Sequence, residues 1–269
     1  MKDSGMIVFL GAGRMATAIA GGLLKNGFKK SNLAAFDISP EALEQFSAST
    51  GIDITFEDAE TLLKKASTII LAVKPQHLAH ALEGKTGLLK DKLVISIAAG
   101  VKLATLSKLT ETQRIVRVMP NTPALIGAGV SAYAASSNAT GEDIQLTEKI
   151  LGAIGEFCRV QENLMDAVTG VSGCGPAYVF DFIQALADGG VNAGLPRQTA
   201  LKLAAQTVAG AAQMVLQTAC HPSELKDQVT SPGGATAKGL AILEKGAFRG
   251  LVSEAVLAAT KRSAELGAE

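Results

Sequence analysis

The chain has 269 residues, 48% of them hydrophobic, with 25 basic and 25 acidic side chains. That length suits one large domain or two smaller ones with sizeable cores, and the balanced charge gives no basis for a nucleic-acid or anionic-membrane partner. No run approaches the ~18 apolar residues of a membrane span, no signal peptide is expected ahead of the first strand, and the expected location is cytoplasmic. The three cysteines, Cys158, Cys174 and Cys220, lack C-x-x-C spacing and read as reduced thiols. His77, His80 and His221 form no metal-binding constellation, so no metal site is expected.

The first element is the apolar run Met6-Ile7-Val8-Phe9-Leu10, which reads as a buried strand. It enters Gly11-Ala12-Gly13-Arg14-Met15-Ala16 and then a helical stretch from Thr17 to Leu24. Strand, G-x-G, helix is the context a dinucleotide fingerprint requires. Gly11 permits the turn, Gly13 lets a pyrophosphate approach the backbone, and Ala16 still allows close helix packing. The second strand, Asn32 to Phe36, ends at Asp37, where an acidic side chain usually accepts the ribose hydroxyls of NAD. The next position is Ile38 rather than an arginine, and Ser39 is a donor for a phosphate, so the local chemistry leans toward NAD or dual use. Further strands are read at 68–73, 93–97, 114–118 and 130–134. Their ends, Val73-Lys74-Pro75-Gln76, Ser96 to Gly100 and Met119-Pro120-Asn121-Thr122-Pro123, converge on one crevice in a doubly wound sheet.

From Leu164 onward the pattern is helical, with Ala/Gly-rich runs at 177–192, 197–218, 235–245 and 250–265. Helices this apolar need burial on more than one side, which points to a second subunit. The third of these runs follows Asp227-Gln228-Val229-Thr230-Ser231-Pro232-Gly233-Gly234-Ala235-Thr236. Ser231 and Thr236 read as capping residues around a tight Pro-Gly-Gly turn. The N–H groups of Ala235 and Thr236 then open a helix N-terminus, which attracts a carboxylate or phosphate.

In order, Gly11-Ala12-Gly13, Met15-Ala16, Ala72-Val73-Lys74-Pro75, Ala98-Ala99-Gly100, Met119 to Pro123, Asp166 to Gly170, Ser172 to Tyr178, Ala187 to Gly190 and Thr230 to Thr236 resemble pyrroline-5-carboxylate reductases over essentially the whole chain. The S-P-G-G-A-T segment is the specific part. The resemblance implies a Rossmann-type α/β domain over residues 1–161, binding NAD(P), followed by an all-helical substrate-binding and dimerisation domain over 162–269. It implies NAD(P)H-dependent reduction of 1-pyrroline-5-carboxylate to L-proline, the last step of proline biosynthesis, with NADPH or NADH as cofactor. It also implies a dimer as the unit, five of which form a decamer. The cofactor residues would be Leu10, Gly11, Ala12, Gly13, Arg14, Met15, Asp37, Ser39, Ala72, Val73, Lys74, Pro75, Ser96, Ala98, Ala99 and Asn121. Glu162, Gln228, Ser231, Gly234, Ala235 and Thr236 would line the substrate site, with Thr236 near the ring nitrogen as the catalytic candidate. Two positions depart from the family pattern: Ala59 stands where an asparagine is frequent, and Cys174 where a serine is common. A β-hydroxyacid dehydrogenase would need a lysine after Gly170-x-x-Gly173-x-Gly175, and Pro176 to Phe180 hold none. A deazaflavin oxidoreductase or a non-catalytic nucleotide sensor leaves Ser231 to Thr236 unexplained.

Overall fold

The structure, a computed structural model, describes residues 5–53 and 58–267. Its elements in chain order are β1 (Met6–Leu10), α1 (Arg14–Lys25), β2 (Leu33–Phe36), α2 (Pro40–Thr50), α3 (Ala59–Lys65), β3 (Ala66–Leu71), α4 (Leu78–Leu82), β4 (Leu93–Ser96), α5 (Leu103–Thr110), β5 (Ile115–Met119), β6 (Gly129–Ala135), α6 (Gly141–Gly152), β7 (Gly155–Arg159) and α7 (Met165–Val168). A π-helical turn, Thr169–Gly173, follows, and then α8 (Gly175–Asn192), α9 (Arg197–Thr218), α10 (Pro222–Gln228), α11 (Ala235–Lys245) and α12 (Phe248–Leu266).

The strands form one sheet in the order β2-β1-β3-β4-β5-β6-β7. All pairings are parallel except β5 with β6. The chain leaves β1 for β2 on one side and returns to β3 on the other. That reversal opens a crevice beyond the carboxyl ends of β1 and β3, the usual ligand position in such sheets. Side chains of β1 alternate between two cores: Ile7 and Phe9 join one face, Val8 and Leu10 the other. Burial on both faces explains why the strand reads as an unbroken apolar run, each such side chain contributing roughly 1.5–3 kcal/mol.

Packing separates residues up to Cys174, together with those from Ala258 on, from Gly175–Leu257. This differs from the sequence-based boundary at residue 161 in two respects. Residues 162–174, including α7 and the π turn, pack with the sheet unit, and the end of α12 returns to it. Ser263 Oγ donates to Asp166 Oδ1 at 2.7 Å, and the backbone of Gly267 lies close against that of Gly100. These contacts are far apart in sequence, so no local pattern announces them. In the helical unit, α8 and α9 bury Ala187, Ala200 and Ala204 against each other, and the rings of Phe182 and Phe248 lie 5.8 Å apart.

Three elements carry no clear sequence signal. The residues of β7 from Glu156 to Arg159 are all exposed, so the strand lacks an alternating pattern and exists through its pairing with β6. The short helix α10 starts on Pro222, with the His221 side chain accepting the Ser223 N–H. In the π turn Cys174 N–H donates to Thr169 O at 2.8 Å. Gly173 lies there against the Met119 side-chain methyl, which would have to swing aside for a Cβ.

Candidate active site

The crevice is lined by Met15, Ala72, Val73, Lys74, Pro75, Ile97, Ala98, Ala99, Met119 and Pro120, and encloses about 290 Å³. Gly11 adopts φ +101°, and a Cβ there would come within 2.7 Å of the Ala72 backbone. Only glycine fits, because the loop crosses directly over the end of β3. Gly13 has open space where a Cβ would point, and it caps α1 without any side-chain hydrogen bond or first-turn acid. An uncapped helix N-terminus behind a bare glycine is a cradle for a pyrophosphate. The fit to a dinucleotide therefore rests on shape and on free backbone donors.

Not every residue of the loop is available for that purpose. Leu10 is buried in the core, and its carbonyl accepts the Ala72 N–H at 2.7 Å. Gly11 N–H donates to Phe36 O at 2.8 Å, and Ala12 N–H to Asp37 Oδ2 at 2.8 Å. The donors left at the helix mouth belong to Gly13, Arg14, Met15 and Ala16. Within the Leu10–Met15 set expected from sequence, the first three residues also fasten the loop to the sheet.

Asp37 is likewise bound within the protein: its other oxygen accepts the Ser39 N–H at 2.9 Å. The carboxylate thus joins the glycine loop to the β2–α2 turn. Ser39, rather than Asp37, caps α2: its Oγ accepts the Ala42 N–H at 3.2 Å and donates to Glu41 Oε2 at 2.7 Å. That bond holds the Glu41 carboxyl below the usual carboxylate range. Two further expected cofactor residues serve the framework. Ser96 is fully buried, and its Oγ accepts the Ala98 N–H at 3.3 Å, shaping the turn whose Ala98 and Ala99 do line the crevice. Asn121 is buried, and its Oδ1 accepts the Val130 N–H at 2.9 Å, anchoring the start of β6. Ala59 is buried as the first residue of α3.

Of the expected substrate residues, Glu162 lies in the sheet unit, and Gln228, Ser231, Gly234, Ala235 and Thr236 lie in the helical unit. Glu162 Oε1 accepts the Leu103 N–H at 2.6 Å and sits 3.5 Å from Arg117 Nη1. Lys102, the residue before α5, provides no side-chain cap, so Glu162 supplies one from a distant point in the chain. Arg117 is only 4% exposed. Its presence between Val116 and Val118 was the sequence signal that a buried ion pair must exist, because a buried charge requires a partner. Sequence reasoning passed over it.

The S-P-G-G-A-T segment forms a turn in which Gly234 N–H donates to Ser231 O at 3.0 Å, with Gly233 at φ +68°. Gly234 is the N-cap of α11, and no side chain caps this end. Ser231 and Thr236 are therefore not the caps that sequence suggested. Ser231 Oγ lies where a Cβ on Gly234 would stand, so the missing side chain lets the hydroxyl rest at the helix mouth. The first turn carries no acid, and Ser231, Ala235 and Thr236 are all exposed. An exposed, uncapped N-terminus beside a hydroxyl suits a small carboxylate. Among the described residues, no group of three or more His, Cys, Asp or Glu is placed to hold a metal ion, and no helix is long and apolar enough to cross a membrane.

Residues 6–100 match a family model described as NADP oxidoreductase, coenzyme F420-dependent, and residues 162–266 match one described as pyrroline-5-carboxylate reductase dimerisation. A pyrroline-5-carboxylate reductase of Arabidopsis thaliana is 46% identical, covering 98% of this chain and 96% of its own. This chain belongs to the pyrroline-5-carboxylate reductase family. Among solved family members, the Coxiella burnetii enzyme superposes with a TM-score of 0.91 at 35% identity, covering 98% of both chains. The Plasmodium falciparum enzyme, solved with NADP bound, superposes with a TM-score of 0.87 at 35% identity, covering 98% of this chain and 99% of its own. Family membership makes this an NAD(P)H-dependent oxidoreductase with a helical dimerisation region.

Proposed function

We propose that the chain performs the reduction for which its family is named, turning the C=N bond of 1-pyrroline-5-carboxylate into the C–N bond of L-proline. The observation that carries this reading is the pairing, in one chain, of a glycine-loop crevice with a second uncapped helix end bearing Ser231. Gly13, Arg14 and Met15 hold the pyrophosphate through their N–H groups, and Ala72 to Pro75 with Ala98 and Ala99 line the nicotinamide side. A reduced nicotinamide bound there supplies the hydride. Ser231 Oγ and the N–H groups of Ala235 and Thr236 hold the substrate carboxylate, which fixes the face of the ring. By the family pattern Glu162 and Gln228 are further substrate residues. The hydride adds to the imine carbon, a proton from solvent or a hydroxyl goes to the ring nitrogen, and the Thr236 hydroxyl would contact that nitrogen. The chain's main contribution is proximity and orientation. NADPH and NADH are both admitted, the functional unit is a dimer within a decamer of five dimers, and the working compartment is the cytoplasm.

The test is the loss of NADPH absorbance with pyrroline-5-carboxylate. Ser231→Ala deletes one charge-assisted hydrogen bond, typically ~1.5–3 kcal/mol, so KM for the imine acid should rise about one to two decades while cofactor Kd holds. Thr236→Val should lower kcat more than substrate affinity. A Ser231→Ala enzyme with unaltered KM, or one that loses cofactor affinity instead, overturns the carboxylate clamp.

A further inference from the structure

The usual selector between the two nicotinamide cofactors at this place in the fold is the acidic residue ending β2. Here both Asp37 oxygens already accept backbone N–H groups, from Ala12 and Ser39. The next polar side chain of the turn is Ser39, whose hydroxyl could donate to a 2′-phosphate. Its proton is directed at Glu41 Oε2, 2.7 Å away, and its lone pair receives the Ala42 N–H. Glu41 is exposed at the first turn of α2 and carries its charge throughout the neutral range, since the Ser39 bond lowers its pKa.

We propose that Glu41 sets the preference between NADH and NADPH by withholding the Ser39 hydroxyl from the 2′-phosphate and placing a carboxylate beside it. The inference rests on the cofactor reading given above and adds a specificity-determining residue to it. A cofactor ending in a free 2′-hydroxyl meets no like charge at this turn. A 2′-phosphate must both break the Ser39–Glu41 bond and approach an anion, a repulsion that exposure and salt reduce to a modest factor.

The experiment measures kcat/KM and direct fluorescence-monitored binding for NADH and NADPH at low ionic strength, in wild type, Glu41→Ala, Ser39→Ala and the double variant. In Glu41→Ala the NADPH/NADH efficiency ratio should rise about threefold to tenfold, the factor expected from removing one nearby like charge at a solvated site. In the double variant the rise relative to Ser39→Ala should be smaller, because the freed hydroxyl is then missing and only the relief of the like charge remains. An unchanged ratio in Glu41→Ala, with both nucleotides still bound, overturns the inference and leaves the cofactor reading standing. A gain just as large without Ser39 also overturns it, because the hydroxyl then plays no part. A wild-type chain that binds neither nucleotide overturns the cofactor reading, and this inference with it.

Discussion

At Glu162 a single carboxylate oxygen completes the first turn of α5 and faces the buried Arg117. Glu162→Gln keeps an acceptor for the Leu103 N–H but leaves Arg117 without a counter-charge. Breaking a buried pair on one side costs 3–5 kcal/mol; with the Glu162 side chain 35% exposed to solvent, about 2 kcal/mol is the better expectation. Denaturant titration of the variant should show that loss as a lower midpoint. A variant with wild-type stability and impaired substrate KM would instead mean that Glu162 serves the substrate alone. Ser96, Asn121 and Asp37 teach the same lesson: a polar side chain next to a crevice first answers the backbone groups around it.

Among the elements, the helix starts divide into two kinds. Ser39, Asp58 and Thr140 cap α2, α3 and α6 with their side chains, whereas α1, α4, α9 and α11 have no side-chain cap and no first-turn acid, and of these α1 and α11 begin on glycines, Gly13 and Gly234. Leaving a helix start uncapped costs about 1 kcal/mol, a cost offset when a ligand anion supplies the missing acceptor. The α6 start is the most firmly built. Thr140 and Asp143 form a capping box, and Asp143 also takes two hydrogen bonds from Arg114, at 3.0 and 2.6 Å. Burial alone would push the Asp143 carboxyl up, but the bonds from Arg114 and Thr140 outweigh it and hold the pKa below its ordinary value. A depressed carboxylate stabilises the fold fully above its unfolded pKa and loses that contribution as pH falls through the folded value. Wild type should therefore be more thermostable than Asp143→Asn at pH 6–7, and the gap should close below about pH 4. Melting curves for both proteins across that range check the sign. A gap that widens on acidification would refute the assignment.

For the whole molecule, the helical unit presents large apolar side chains to solvent: Leu216 is 78% exposed, Ile242 70% and Phe180 63%. Its own buried core consists of Ala187, Ala200 and Ala204. So much apolar surface around so small a core is stable only when another surface covers it, which agrees with the match of residues 162–266 to the family's dimerisation model. Light scattering at low micromolar concentration should find a dimer or a multiple of one. A stable, active monomer would remove the assembly.

The sequence by itself determined the strand–glycine-loop–helix start, the change from alternating strands to apolar helices, and the family, because those features depend on local periodicity and on residues with unusual backbone demands. Gly11 and Gly233 sit at positive φ, and the run from Met6 to Leu10 is buried on both faces. Only the tertiary structure decided which polar residues near the crevice are free. Asp37, Ser96, Asn121 and Glu162 carry suitable chemistry, but each meets its partner across a turn or between strands and helices remote in sequence. It also decided that β7 is a strand and that the end of α12 rejoins the sheet unit. The physical reason is the same throughout: a hydrogen bond or ion pair between distant segments leaves no period in the chain, so its partners become known only once the backbone has brought them together.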